Sequence, residues 1–333
     1  MATIESRTIA GIGTGPWLVR RPFPGTASLR WSHAWAIATL ICAFVAISSG
    51  ALVTTLRVGM ADPIWPTAPW TLFVISWQEP KPGFLIEHGH RLADWITGFC
   101  SIGLAISLWR SAPSSPMRWL GVAAMLGVAL QGLLGGLRVL LHALQGPGLA
   151  WFHGTFGQAF FAFLTAIVVV TSSRWQEGQC LEEDNTLTSG ARRAALALVA
   201  LTYLQGVLGG LIRHFNATAG YRLHLLLAFA VVAAVAWLWQ AGRNVPGKAM
   251  RAPLAGIALL LVIQLGLGIE ALMIRFASGK VFELVTVTPA QAWVRTGHFV
   301  CAALILALSV VVALRVWLPD LATHRQRAPE GAA

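Results

Sequence analysis

Gln131-Gly132-Leu133-Leu134-Gly135-Gly136-Leu137 recurs, with one substitution, as Gln205-Gly206-Val207-Leu208-Gly209-Gly210-Leu211. Each copy closes an apolar run of about 20 residues, the length that carries an α-helix across a bilayer core. Fainter echoes stand at Gln264-Leu265-Gly266-Leu267-Gly268 and at Ser48-Ser49-Gly50-Ala51-Leu52. Glycines four apart, Gly132/Gly136 and Gly206/Gly210, permit close helix packing, and the same small residues clear room for a flat ligand. The two uses are compatible.

Each of these four runs is followed by another apolar run. The spans fall at 33–56, 86–109, 117–140, 149–173, 191–213, 219–240, 252–274 and 292–317. Pro63, Pro66, Pro69, Pro80, Pro82, Pro113, Pro116, Gly146-Pro147 and Pro246-Gly247 punctuate the breaks between them. The predicted fold is an all-α integral membrane protein, with eight transmembrane helices arranged as two pseudo-symmetric four-helix bundles. An even-numbered half gives both bundles the same orientation, related by an axis along the membrane normal. The expected divisions are a basic N-terminal segment over 1–32, a first four-helix half over 33–173, a linker over 174–190, a second half over 191–317 and a tail over 318–333. The long connection 57–85, with Trp65, Trp70 and Trp77, suits a structured cap at headgroup level.

Composition agrees. The chain of 333 residues is 56% hydrophobic and 11% charged, against roughly a quarter charged for a soluble domain. The net charge of +11 does not signal nucleic acid, because no basic run is interleaved with aromatics and the arginines sit at the ends of apolar runs instead. The larger share of Lys and Arg falls on the side of the termini, among them Arg20, Arg21, Arg118, Arg192, Arg193 and Arg251, which predicts cytoplasmic termini. No cleavable leader is evident ahead of the first span, which should itself direct insertion. Cys42, Cys100, Cys180 and Cys301 have no metal-type spacing, so neither a disulfide framework nor a Cys-ligated metal is expected.

The histidines carry the functional signal. His90, His153, His224 and His298 fall in spans two, four, six and eight, each within the first turns of its span. At about 1.5 Å rise per residue, the four imidazoles lie at similar depth below the outer surface. A lone membrane histidine is usually a packing hydrogen bonder. Four at matched depth on alternate helices of a repeat point to axial ligands, because six-coordinate haem iron takes two facing imidazoles and the porphyrin slots between helices beside small residues. Gly154, Gly157 and Ala228 lie near them. Arg91, Arg138, Arg213, Arg222 and Arg295 sit at the same outer level, where guanidinium binds carboxylates such as propionates. Arg57 and Arg275 read as interfacial anchors. His88 is about 200° round the helix from His90 and cannot share its face. His142 and His214 stand at outer span ends, and His33 and His324 near the inner face. Zinc is disfavoured, since no HxxxH or HExxH occurs.

Glu87 precedes His90 by three residues and shares its face, and Asp94 continues that stripe one turn deeper. A carboxylate there can orient an imidazole or accept a proton, and a plain ion pair with Arg91 is the ordinary alternative. No Glu stands at that place before His153, His224 or His298, so the two halves differ chemically. Glu270 is a second intramembrane acid with no assigned role.

Glu87-His88-Gly89-His90-Arg91, the two QG-x-LGG segments, His153-Gly154, Arg213-His214 ahead of His224, and Gly297-His298 together resemble the haem A synthase family of eight-helix membrane enzymes, over nearly the whole chain. The resemblance implies oxidation of the C8 methyl of haem O, through an alcohol, to the formyl group of haem A. It implies a substrate haem at His90 and His153 with Glu87 as catalytic acid, and a haem B cofactor at His224 and His298 that passes electrons. It further implies a haem O-producing farnesyltransferase upstream, a quinol or ferredoxin-type electron donor, haem-copper oxidases downstream, and residence in the cell membrane, with a homo-oligomer left open. The chain departs from many bacterial members in lacking a cysteine pair in 57–85, and Asp94 stands where a small residue is expected. A bis-histidine cytochrome b that only moves electrons explains the histidines but leaves Glu87 unused. A haem-handling transporter is the third reading.

Overall fold

The computed structural model describes residues 29–61, 82–112, 114–141, 144, 146–176, 189–242, 250–278 and 286–327. Among them, eight helices are long and apolar enough to cross a membrane. These are α1 (Leu29–Leu56), α2 (Pro82–Ser111), α3 (Ser115–Leu140), α4 (Pro147–Thr171), α5 (Ser189–Phe215), α6 (Thr218–Gly242), α7 (Arg251–Ser278) and α8 (Pro289–Arg327). A single helical turn, Ser173–Gln176, follows α4. The proposed cap around Trp65, Trp70 and Trp77, most of the N-terminal segment, His142 and Cys180 lie outside the described residues.

Several helices begin earlier than the apolar runs do. Proline explains it, since its missing N–H and fixed φ suit the first helical turn, where no intrahelical donor is needed. Pro116 and Pro147 occupy that place in α3 and α4, the latter behind Gly146 at φ 53°. At the other end, α8 continues to Arg327 where a tail was expected from 318. The predicted span ended where hydropathy falls, but Leu, Ala, Gln and Arg keep their helix propensity without it. Arg57 and Asn216 stop α1 and α5 in the left-handed region, at φ 61° and 53°. There Val58 N–H donates to the Val53 carbonyl at 3.1 Å and Asn216 N–H to that of Ile212 at 3.2 Å, covering last-turn carbonyls.

α1 lies against α2 and α4, and α3 against α2 and α4, closing a ring of four. α5 to α8 close a second ring, thinnest between α6 and α7. The rings meet through α1–α8, α4–α5 and α4–α8. The core sits towards the end of the bundle where α1 and α5 begin. Leu104, Leu108, Leu164 and Ile167 fill it in the first ring, and Leu198, Leu238, Leu254, Ile257, Val312 and Val316 in the second. Large apolar side chains such as Leu226, Phe229 and Val262 face outward, as lipid requires. Several hydroxyls inside the band are satisfied within their own helices, as Thr97 is by the Ala93 carbonyl at 2.8 Å and Ser309 by that of Ile305 at 2.7 Å.

The α1–α2 seam is close and partly polar. The Ser32 hydroxyl meets those of Ser107 and Ser111, each at 2.8 Å, and a Cβ on Gly103 would run into the Trp35 ring at 2.8 Å. Halfway along, the Cys42 and Cys100 sulfurs stand 4.0 Å apart as free thiols. Cys301 is free and buried, donating to the Leu260 carbonyl at 3.3 Å.

Candidate functional site

With the core packed at one end, the other end of the bundle is hollow. A cavity of about 1290 Å³ opens there, lined by His90, His153, His224 and His298 together. That exceeds the roughly 300–1,000 Å³ of an ordinary single-ligand site. The even-numbered helices each bring one imidazole into it, and the preceding odd-numbered helix presents a glycine to that ring. A Cβ on Gly50 would stand 2.8 Å from His90 Cε1, on Gly135 3.4 Å from His153 Cε1, on Gly209 3.4 Å from His224 Cε1 and on Gly268 3.1 Å from His298 Cε1. The glycines of the repeat therefore clear space for rings.

The two copies of the repeat also divide their labour. Gly206 and Gly210 face α4: a Cβ on the first would meet Gln158, and on the second Trp151 Cδ1 at 2.7 Å. Trp151 Nε1 donates across that interface to the Val207 carbonyl at 3.2 Å. Close packing is their role. Gly132 meets nothing within 4 Å, and all three line the cavity.

The imidazoles come together in pairs. The His90 and His153 ring centres are 6.5 Å apart at 77°, those of His224 and His298 6.3 Å apart at 61°. Two imidazoles trans on one metal, with metal–nitrogen bonds of about 2 Å, have centres roughly 6 Å apart. Nδ1 of His153, His224 and His298 is buried and without a hydrogen-bond partner, the condition of groups that await a ligand or a rearrangement. Among the described residues no set of three or more His, Cys, Asp or Glu gathers as a metal site. The donors, the glycine cradles and the cavity fit a haem in each pair.

The remaining predicted residues are distributed unevenly. Glu87 and Arg91 are buried together beside the first pair, Arg91 Nη2 donating to Glu87 Oε1 at 2.7 Å. Arg138 lies against Gly59 and lines the cavity, as do Arg222 and Arg295. Arg213 reaches across the rings, donating to the Ala51 carbonyl at 2.8 Å and to Thr55 Oγ1 at 2.7 Å, with its guanidinium 5.6 Å from the Phe299 ring centre. Thr296 of α8 also donates to Thr55, at 3.2 Å, so three helices meet at one hydroxyl. Arg57, expected as an anchor, lines the cavity too, and guanidiniums outnumber the carboxylates Glu87 and Asp94 in its wall. The chamber suits anionic ligands.

Outside this set, His88 is buried and stacks on Phe84 at 5.3 Å, turned from His90 as helix geometry required. His33 Nδ1 bonds Thr171 Oγ1 at 3.0 Å, and His214 lines the cavity. Glu270 is exposed.

Asp94, placed on the His90 stripe from the sequence, reaches that histidine, and Ser49 and three glutamines with histidine contacts were not singled out. Asp94 Oδ2 stands 3.5 Å from His90 Nε2, and Ser49 Oγ lies 3.3 Å from its Nδ1. Gln131, Gln205 and Gln264 contact His153, His224 and His298 in turn. The signal for the glutamines was present, since each stands four residues before the glycine that faces the histidine.

Residues 68–223 match the COX15-CtaA family, described as cytochrome oxidase assembly protein. Over those residues the chain is similar to that family. It is 27% identical over 184 residues to Heme A synthase of Shouchella clausii, covering 55% of this chain and 59% of that one. It is 29% identical over 189 residues to Heme A synthase of Listeria monocytogenes and to that of Listeria welshimeri, again over 55% of this chain and 59% of the relative. The chain thus spans about three-fifths of the length of these curated relatives.

Proposed function

We propose that the chain is a haem A synthase, which oxidises the C8 methyl of haem O to the formyl group of haem A. The observation that carries this reading is the placement of one buried carboxylate, Glu87, beside one of two otherwise matching histidine pairs. The relatives' names support it.

Haem O is the substrate, held between His90 and His153. Taking a methyl to a formyl group adds one oxygen atom and removes four electrons. Written with water, R–CH3 + H2O gives R–CHO, four electrons and four protons. The electrons leave to an external oxidant such as O2, and Glu87 is the group at hand to accept protons. Arg91 holds the Glu87 carboxylate in place by a charge-assisted hydrogen bond in a setting with few other polar partners. Haem B belongs between His224 and His298, where it supplies a one-electron relay when bound. Arg138, Arg213, Arg222 and Arg295 offer guanidinium to the propionates. The contacts between the rings support a twofold relation between residues 33–173 and 191–317, because exchanging α1 with α5 and α4 with α8 turns the α1–α8 contact into α4–α5 and leaves α4–α8 in place. In this reading the protein resides in the cell membrane with both termini cytoplasmic. It receives haem O from a farnesyltransferase, exchanges electrons with a quinol or ferredoxin-type donor, and supplies haem-copper oxidases.

Co-expression with a source of haem O, followed by chromatography and mass analysis of extracted haems, tests the proposal. Haem A or its alcohol precursor is expected, and is lost in Glu87→Gln. Haem O left unconverted, alongside a reversible haem B spectrum, would overturn it in favour of an electron-carrying cytochrome b.

A further inference from the structure

Six of the buried polar atoms without a hydrogen-bond partner are Oε1 of Gln131, Gln205 and Gln264 and Nδ1 of His153, His224 and His298. They occur as one acceptor and one ring nitrogen on each of three adjoining helix pairs. Gln131 Nε2 donates to the His153 carbonyl at 3.1 Å, Gln205 Nε2 to the His224 carbonyl at 3.0 Å, and Gln264 Nε2 lies 3.3 Å from His298 Nε2. Each carboxamide is thus tied to its own histidine by its nitrogen, with its oxygen held close by and unused. A carboxamide has an acceptor to give, and an imidazole that ligates through Nε2 has an Nδ1–H to donate. Ligating histidines nearly always make that second bond, which fixes tautomer and ring orientation.

The fourth histidine is the control. In α1 the place four residues before Gly50 is Ala46, so no carboxamide is available, and there alone Nδ1 already has a partner, Ser49 Oγ at 3.3 Å. Where the glutamine is missing, the bond is supplied another way.

We propose that Gln131, Gln205 and Gln264 are the positioning residues of His153, His224 and His298, each accepting the Nδ1–H through Oε1 when the ring turns Nε2 to iron. This rests on the haem reading above. A neutral acceptor on Nδ1–H makes the imidazole a stronger donor and favours ferric iron, and a carboxylate there does so more strongly. Packing alone predicts no such ordering.

The test uses the full chain purified from haem-replete cells. It measures haem content, reduction midpoint potential and the low-temperature electron paramagnetic resonance of the haem held by His224 and His298. Gln205→Leu and Gln264→Leu are expected to raise the potential and to loosen haem by roughly 10- to 100-fold, whereas Gln205→Glu lowers the potential below that of the parent. The Glu variant keeps the size and polarity of the side chain, so it decides the matter even where the Leu variants fail to fold. Unchanged potential and resonance with haem retained, or shifts of Leu and Glu in the same direction, would overturn the proposal. A parent protein with no bis-histidine haem would overturn the reading beneath it instead.

Discussion

His90 and His224 sit at corresponding places on α2 and α6, each with its ring against a glycine of the preceding helix and its partner imidazole about as far away. Their surroundings differ. His90 has Ser49 at Nδ1 and Asp94 at Nε2, with the buried Glu87–Arg91 pair on the same helix face. His224 has the carboxamide of Gln205 on its carbonyl and no acid near it in the repeat. One fold therefore offers two imidazole pairs of similar geometry, one with carboxylates beside it and one whose charged neighbours in the cavity wall are guanidiniums. In the proposed function, matching geometry holds a ligand at both pairs, and the acids beside His90 mark where the chemistry occurs.

Glu87→Gln breaks this comparison most severely. It removes the proposed proton acceptor while keeping a side-chain oxygen for Arg91, and general acid–base groups contribute about 10²- to 10⁴-fold. Haem A formation should fall by that order in extracted haems. The visible spectrum of the haem proposed at His224 and His298 should stay as it was, and a parallel loss there would show that Glu87 serves the whole bundle.

The glycines sharpen it next. A methyl at Gly50 would lie 2.8 Å from His90 Cε1, closer than real contacts allow, whereas at Gly209 it would lie 3.4 Å from His224 Cε1 in ordinary contact. Gly50→Ala must therefore displace the ring, and a shift near 1 Å can cost about 100-fold in turnover. Gly209→Ala should leave haem content and spectrum nearly unchanged. Equal tolerance at the two sites would mean that His90 is free to settle elsewhere.

Thr55 tests whether the two rings act as one body. Thr55→Val removes the acceptor shared by Arg213 and Thr296 and leaves a buried guanidinium short of a partner, a loss of about 1–3 kcal/mol. A lower Tm of the detergent-solubilised protein is the expected result. If the midpoint does not move, the contact is not what joins the rings.

Periodicity and the repeat made much of this legible. Eight apolar runs became eight helices, and histidines at matched depth on alternate runs share one cavity. What remained hidden depends on rotation about a helix axis and on reach. Arg213 lines the cavity, and its long side chain also crosses to α1, a contact 162 residues away in sequence that no local pattern encodes. The glycines looked alike, and only the neighbouring helix decides that Gly210 packs on Trp151 while Gly209 faces His224. Helix ends were blurred because hydropathy marks the bilayer, while proline and helix propensity mark the helix.

Asp94 gives the smallest expected effect and the finest distinction. It shares a helix face with Glu87 and lines the same cavity, yet its contact with His90 is long, at 3.5 Å, and its side chain is 33% exposed. A hydrogen bond of that length is weak. Asp94→Asn retains an oxygen of the same reach, so the loss should be about 0.5–1 kcal/mol, roughly two- to five-fold in haem A formation. Glu87 is different in kind: buried, paired at 2.7 Å, and lacking any counterpart before the other three histidines. If Asp94→Asn proved as damaging as Glu87→Gln in the same extraction assay, the proton-handling role would belong to both carboxylates, and the contrast between the halves would rest on two acids instead of one.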